Sequence, residues 1–190
     1  MRLENALIAR VCHDLITPLN ALSLGIEAFE TSGDKSLVGD LKESVGKANA
    51  ILKFIRELYS TKSNAFCYSL PSLKQLAANF LEKYNISFEL ESDFENIPCI
   101  AGKIVIYNAA IAKEIMPFGG TIGAKIDDAS SEITTICYGD GIAPFNLNID
   151  KELNHKNIMR FCLLTLLEES GFRITVRQEE SRVIIREQMT

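Results

Sequence analysis

The sequence predicts an α+β chain: an antiparallel helical hairpin followed by a sandwich of helices and mostly antiparallel strands. Two long stretches of apolar residues at helical spacing fill the first sixty positions. After the polar break Ser60-Thr61-Lys62-Ser63-Asn64 the pattern changes to shorter helical runs mixed with period-two alternation. Hydrophobic residues make up 47% and charged residues 24%, which is enough apolar material for a core. The 190 residues are compatible with two small units, read here as 1–63 and 64–190.

The first helix is predicted from Leu3 to about Thr31, with Leu7, Val11, Leu15, Leu22, Ile26 and Phe29 forming its buried stripe. Thr31-Ser32-Gly33-Asp34 reads as a stop followed by a new cap region. A second stripe (Leu41, Val45, Ala48, Leu52, Ile55, Tyr59) predicts a helix from Lys35 to about Lys62. So short a connection implies an antiparallel hairpin. Two helices alone cannot cover both apolar faces, so the hairpin is expected to pair with a second copy as a homodimeric four-helix bundle.

Further on, Ser72–Tyr84 reads as a helix and Ile86–Glu91 as a strand. Ala101–Met116 reads as a helix stopped by Pro117 and Gly119-Gly120. Thr121–Lys125 and Glu132–Tyr138 look like paired strands, and Asn157–Ser170 an apolar helix ended by Gly171. Strands at Phe172–Gln178 and Arg182–Glu187 close the chain around the turn Glu179-Glu180-Ser181.

A net charge of −5 with no Lys/Arg cluster argues against nucleic acid, whose binding relies on neutralised phosphates. No apolar run approaches the length of a membrane span, and the N-terminus has no signal-peptide core, so a cytoplasmic protein is expected. Cys12, Cys67, Cys99, Cys137 and Cys162 are scattered without metal-ligand spacing; no metal is expected, and the cysteines read mostly as small apolar residues in a reducing compartment.

Chemistry concentrates in Arg10-Val11-Cys12-His13-Asp14-Leu15-Ile16-Thr17-Pro18-Leu19-Asn20. At roughly 100° per residue, His13 falls on the side of its helix opposite the stripe, facing water, with Arg10, Thr17, Asn20 and Leu24 around it. A neutral imidazole has a free nitrogen able to attack phosphorus. Asp14 is placed to hold the other ring nitrogen, Arg10 to counter phosphoryl charge, and Thr17 to hydrogen-bond the transferring group. Pro18, without an N–H, is expected to kink the helix just past His13. Leu24, apolar on a polar face, suggests a contact reserved for a partner, with Arg10 and Asn20 beside it.

His13-Asp14 with Pro18 resembles the phosphoacceptor box of histidine kinases and their phosphotransferase relatives. The whole chain is most similar to the ChpT-type histidine phosphotransferases, with Ala112–Gly120 as a second, weaker match. The resemblance implies a dimerisation and histidine-phosphotransfer hairpin joined to a degenerate version of the kinases' ATP-binding (Bergerat) fold. Active kinases hold Mg–ATP with two asparagines four apart and a basic residue after them; here Asn108 is followed four positions later by Ala112. Their Asp-x-Gly-x-Gly box is represented by Asp140-Gly141 without the second Gly, and no Gly-rich lid follows. Backbone cradles for phosphate need such glycines.

The resemblance thus implies a phosphorelay intermediate that works without ATP or any cofactor of its own. His13 would take a phosphoryl group from the receiver domain of a hybrid histidine kinase and pass it to response-regulator receivers, with Mg²⁺ supplied by the receiver. Two alternatives stay open: an ATP-dependent kinase with an atypical nucleotide site, and a non-catalytic receiver-binding scaffold.

Overall fold

A computed structural model describes residues 2–60, 66–127, 131–148 and 153–190. Helix α1 (Leu3–Ser32) and helix α2 (Leu37–Tyr59) form the antiparallel hairpin. Gly33 ends α1 in the left-handed region at φ 66°, its N–H donating to the Phe29 carbonyl. Pro18 lies within α1, which stays helical on both sides of it. The predicted end of the second helix at Lys62, and the boundary between the two predicted units, lie outside the described residues.

The rest of the chain is β1 (Phe66–Ser69), α3 (Leu70–Leu81) and a single 3-10 turn (Glu82–Tyr84), then β2 (Ile86–Ser92), β3 (Asn96–Pro98) and α4 (Cys99–Ile115). β4 (Gly120–Ile126), β5 (Glu132–Tyr138), α5 (Ile158–Glu169), β6 (Phe172–Glu179) and β7 (Arg182–Met189) complete it. The main sheet runs β2-β4-β5-β7-β6. β2 and β4 are parallel; every other neighbouring pair is antiparallel. β1 and β3 pair separately, a ribbon too short to leave a period-two signature in the sequence.

The sheet alternates cleanly. Ile86, Phe88, Leu90, Ile122, Ile133, Cys137, Val183 and Ile185 turn inward, while Ser87, Glu89 and Lys125 stay exposed. α3, α4 and α5 pack on the inward face as one helical layer, and α4 is the most deeply buried of them. The predicted α+β architecture is the observed one.

The hairpin is not a free-standing arm. Ile51, Phe54 and Leu58 at the end of α2 are fully buried, and the Phe54 ring stacks on Phe80 of α3 at 3.7 Å and 6°. One hydrophobic core runs from Ala6, Phe54 and Leu58 into α3, α4 and the sheet. This differs from the predicted stripes in a specific way. The α1 residues buried within the chain are Ala6, Arg10, Asp14 and Pro18, a row at spacing four on which the second unit sits. The predicted stripes are only half-covered, and Ile26, Val45 and Leu52 on them are exposed, with Ile8, Ile16 and Leu19 nearby.

Cys12, Cys137 and Cys162 are free thiols, whereas Cys99 is disulfide-bonded, an exception to the mostly reduced cysteines expected. Among the described residues no helix is long and apolar enough to cross a membrane, and no cluster of His, Cys, Asp or Glu could hold a metal ion.

Candidate functional site

His13 sits near the middle of α1 with its side chain 64% exposed, on the water-facing side that the sequence predicts. Its Nδ1 lies 3.3 Å from Asp14 Oδ1. Asp14 itself is buried and held from two directions. Lys113 Nζ on α4 donates to both carboxylate oxygens at 2.9 Å, and Arg10 Nε donates to Oδ2 at 3.1 Å. Burial pushes the Asp14 carboxyl up, but the Lys113 ammonium and the Arg10 guanidinium outweigh it and hold the group below the usual carboxylate range. An ionised Asp14 accepts from Nδ1–H and leaves Nε2 as the free nitrogen.

Arg10 is 5% exposed, not on the open face where helical spacing alone places it. Its Nη1 donates to the His155 backbone carbonyl at 2.8 Å and to Glu114 Oε1 at 3.2 Å. A helical wheel drawn for α1 in isolation treats everything opposite the apolar stripe as solvent; here the second unit covers part of that side. Thr17, Asn20 and Leu24 are exposed as expected, Leu24 at 65%. Thr17 shares a cavity with His13, which places it within the acceptor's surroundings; Asn20 and Leu24 lie further along the helix.

That cavity, about 620 Å³, is built from both units. α1 gives Arg10, His13, Asp14, Thr17 and Pro18, and α2 gives Lys47. From beyond the hairpin come Lys83, Tyr84, Lys113, His155 and Arg160. The His13 and His155 rings stack with centroids 5.3 Å apart and 26° between planes. The chain has two histidines, and they meet face to face across 142 positions of sequence. Sequence reasoning missed His155 because no motif surrounds it; that rarity was its only signal. Lys113, which follows the Ala112 that departs from the kinase pattern, also donates to Tyr84 Oη at 3.0 Å. Burial lowers the Lys113 ammonium to about 8 despite Asp14, while burial raises Glu114 despite Arg10 and Arg160.

The remnants of the nucleotide pattern are engaged elsewhere. Asn108 points into the core, where its Nδ2 donates to Thr135 Oγ1 and to Glu187 Oε1, both at 2.9 Å. Past Gly141, the Ala143 N–H donates to the Ile115 carbonyl at 2.8 Å and the Phe145 N–H to Gln178 Oε1 at 2.9 Å. Ile142 and Phe145 pack against the core.

The chain is 20% identical to the protein phosphotransferase ChpT of Brucella abortus (strain 2308), in a match covering 94% of this chain and 91% of that one. A solved bacterial phosphotransferase superposes with a TM-score of 0.84 at 18% identity, over 98% of this chain and 95% of that chain. The chain resembles ChpT along nearly its whole length. The histidine kinase ThkA, solved in complex with the response regulator protein TrrA, superposes with a TM-score of 0.50 at 19% identity, over 96% of this chain and 60% of that chain. No protein-family model matches the sequence. The ChpT-like architecture thus carries an exposed histidine on a buried acid, clasped by a kinase-like second unit.

Proposed function

We propose that this chain is a histidine phosphotransferase of a two-component phosphorelay, moving a phosphoryl group between receiver-domain aspartates through His13. The observation that carries it is the pairing of an exposed His13 with a buried, ionised Asp14. Nε2 attacks the phosphorus of an aspartyl phosphate. The N–P bond forms, the bond from phosphorus to the carboxylate oxygen breaks, and the carboxylate leaves with its electron pair. Asp14 holds Nδ1–H throughout and stabilises the charge that builds on the ring. The return to a response regulator is the same step reversed, and Thr17 is placed to hydrogen-bond the group in transit.

The donor is read as the receiver of a hybrid kinase, the acceptors as response regulators, and Mg²⁺ as the receiver's own ion. The engagement of Asn108 in the core and the pinned segment after Gly141 support a relay without ATP. Asn20 and Leu24 are the residues we assign to receiver contact on the open face; Arg10, buried beneath it, would act by fixing Asp14. The relay is placed in the cytoplasm. Transfer of label from a phosphorylated receiver to acid-labile phosphohistidine at His13, with labelled ATP inert, is the expected result. Label from ATP would point to a kinase, and receiver binding without label to a scaffold.

The half-open stripe of Ile26, Val45 and Leu52, with Ile8 and Leu19, is apolar surface that one protomer leaves in water. We assign it to a homodimeric four-helix bundle. Light scattering is expected to give twice the 21.1 kDa chain mass at micromolar concentration; a stable monomer would refute the bundle.

A further inference from the structure

Among the described residues, the cavity beside His13 has one half-buried cation that makes no ion pair. Lys113 is committed to Asp14, Arg10 to Asp14 and Glu114, Arg160 to Glu114, and Lys47 to Glu43 at 2.5 Å. Lys83 is different. Lying within the 3-10 turn after α3, it is half-buried and makes no ion pair or hydrogen bond among the described residues. Its Nζ rests 4.4 Å from the centre of the Tyr84 ring and 5.3 Å from that of Phe80. Ring faces attract a cation without removing its charge. Burial lowers this ammonium to about 8, with Asp14 pulling it back and Lys113 and Arg10 pushing the same way as burial. A desolvated cation with no carboxylate partner is unfavourable unless an anion joins it.

Resting on the relay reading, we propose that Lys83 is the counter-ion of the phosphoryl group carried by His13, so that the second unit holds the phosphorylated acceptor. A phosphoryl group near neutral pH carries between one and two negative charges on three strong acceptor oxygens. It is the anion that this reading delivers into the cavity His13 and Lys83 share. His155, stacked on His13 and fixed through its carbonyl by Arg10, limits how the ring turns, so a phosphoryl group on Nε2 stays in the basic cavity. Lys156, exposed at the same cavity, adds a second cation within the pocket lining. The kinase-like unit then has a role in this chain that owes nothing to nucleotide.

The test loads His13 without any receiver. Phosphoramidate phosphorylates an imidazole directly: its N–P bond breaks, ammonia leaves, and a new N–P bond forms to the ring. The ³¹P resonance of phospho-His13 is followed against pH in the full-length wild type, Lys83→Met and Lys83→Arg, with His13→Ala marking any signal from His155. The midpoint between phosphoryl monoanion and dianion is expected about one pH unit lower in wild type than in Lys83→Met, with Lys83→Arg restoring most of the shift. Equilibrium with a phosphorylated receiver is expected to leave about tenfold less phosphoryl on His13 in Lys83→Met than in wild type. Equal midpoints in wild type and Lys83→Met, both folded by melting, would overturn the proposal. Failure of the relay reading would show separately, as no exchange with any receiver while the midpoints still differ.

Discussion

Asp14→Ala is expected to cost the fold about 3–5 kcal/mol, whereas His13→Ala leaves melting nearly unchanged; both are expected to stop or cripple transfer. The contrast follows from where the two neighbours sit. Asp14 is the one carboxylate that Lys113 and Arg10 share, and its side chain is almost fully covered. Removing it leaves an ammonium and a guanidinium buried side by side without their common partner, and loosens α1 from α4. His13 has an exposed ring whose fold-holding contacts are the stack on His155 and the bond to Asp14. Transfer in His13→Ala should be undetectable because the attacking nitrogen is gone. In Asp14→Ala it should fall by roughly a hundredfold or more, since the ring loses the acid that fixes its tautomer. Urea unfolding and receiver-to-protein transfer, run on both variants, give the two readouts. Transfer that survives in His13→Ala would remove the relay reading, and an Asp14→Ala protein as stable as wild type would mean the clasp holds nothing. Because the native Asp14 carboxyl is depressed, its contribution is complete above the ordinary carboxylate range and is lost as pH falls below that range, through the lower folded-state value.

Much of this site was legible in the sequence because the acceptor box is local. Spacing along one helix suffices to expose His13 and to set Asp14 beside it. The hairpin, the helix from Ala101 and the strand pairs were legible for the same reason: each is a periodic pattern of useful length. What spacing could not supply was the second unit's position. Arg10 looks solvent-facing on α1 alone, yet α4 and the turn carrying His155 close over it. Lys83, Lys113 and His155 have no motif, and they reach the site only through tertiary packing. The buried rows of α1 and α2 were misplaced by about one position of helical rotation for the same reason. The apolar stripes marked a surface still open in one protomer, while Ile51, Phe54 and Leu58 met the core.

On the proposed relay reading, the clasp has a use that an enzyme swinging a nucleotide toward its histidine would not have. Arg10, Asp14, Lys113 and Glu114 tie α1 to α4 immediately beneath the acceptor. A tie of this kind favours one fixed arrangement of the two units. Under the proposed relay, such an arrangement suits a surface that successive receivers recognise, with the phosphoryl group held in the basic pocket between transfers.

Glu187→Gln is expected to stabilise the protein increasingly as pH rises. Glu187 is on β7, wholly buried, and its Oε1 accepts from Asn108 Nδ2. Its Oε2 and Asn108 Oδ1 are both buried, with no hydrogen-bond partner among the described residues. Burial pushes the carboxyl up to about 8, the Asn108 bond offsetting only part of that. The native state therefore keeps a proton on Glu187 where the unfolded chain, near 4.5, has lost it. Between those values the folded protein binds more protons, so this group makes stability fall as pH rises, by roughly 1 kcal/mol per pH unit. A protonated Glu187 carries an O–H donor that the ionised form lacks, and the amide of Gln carries donors at every pH. Below pH 4.5 the variant and wild type should unfold at similar denaturant concentrations, and the gap should widen in the variant's favour up to about pH 8. Comparison of the two chains cancels the other carboxylates. A gap that does not change with pH would mean that Glu187 is ionised in the native core, with a positive charge or water supplying what the side chains around it do not.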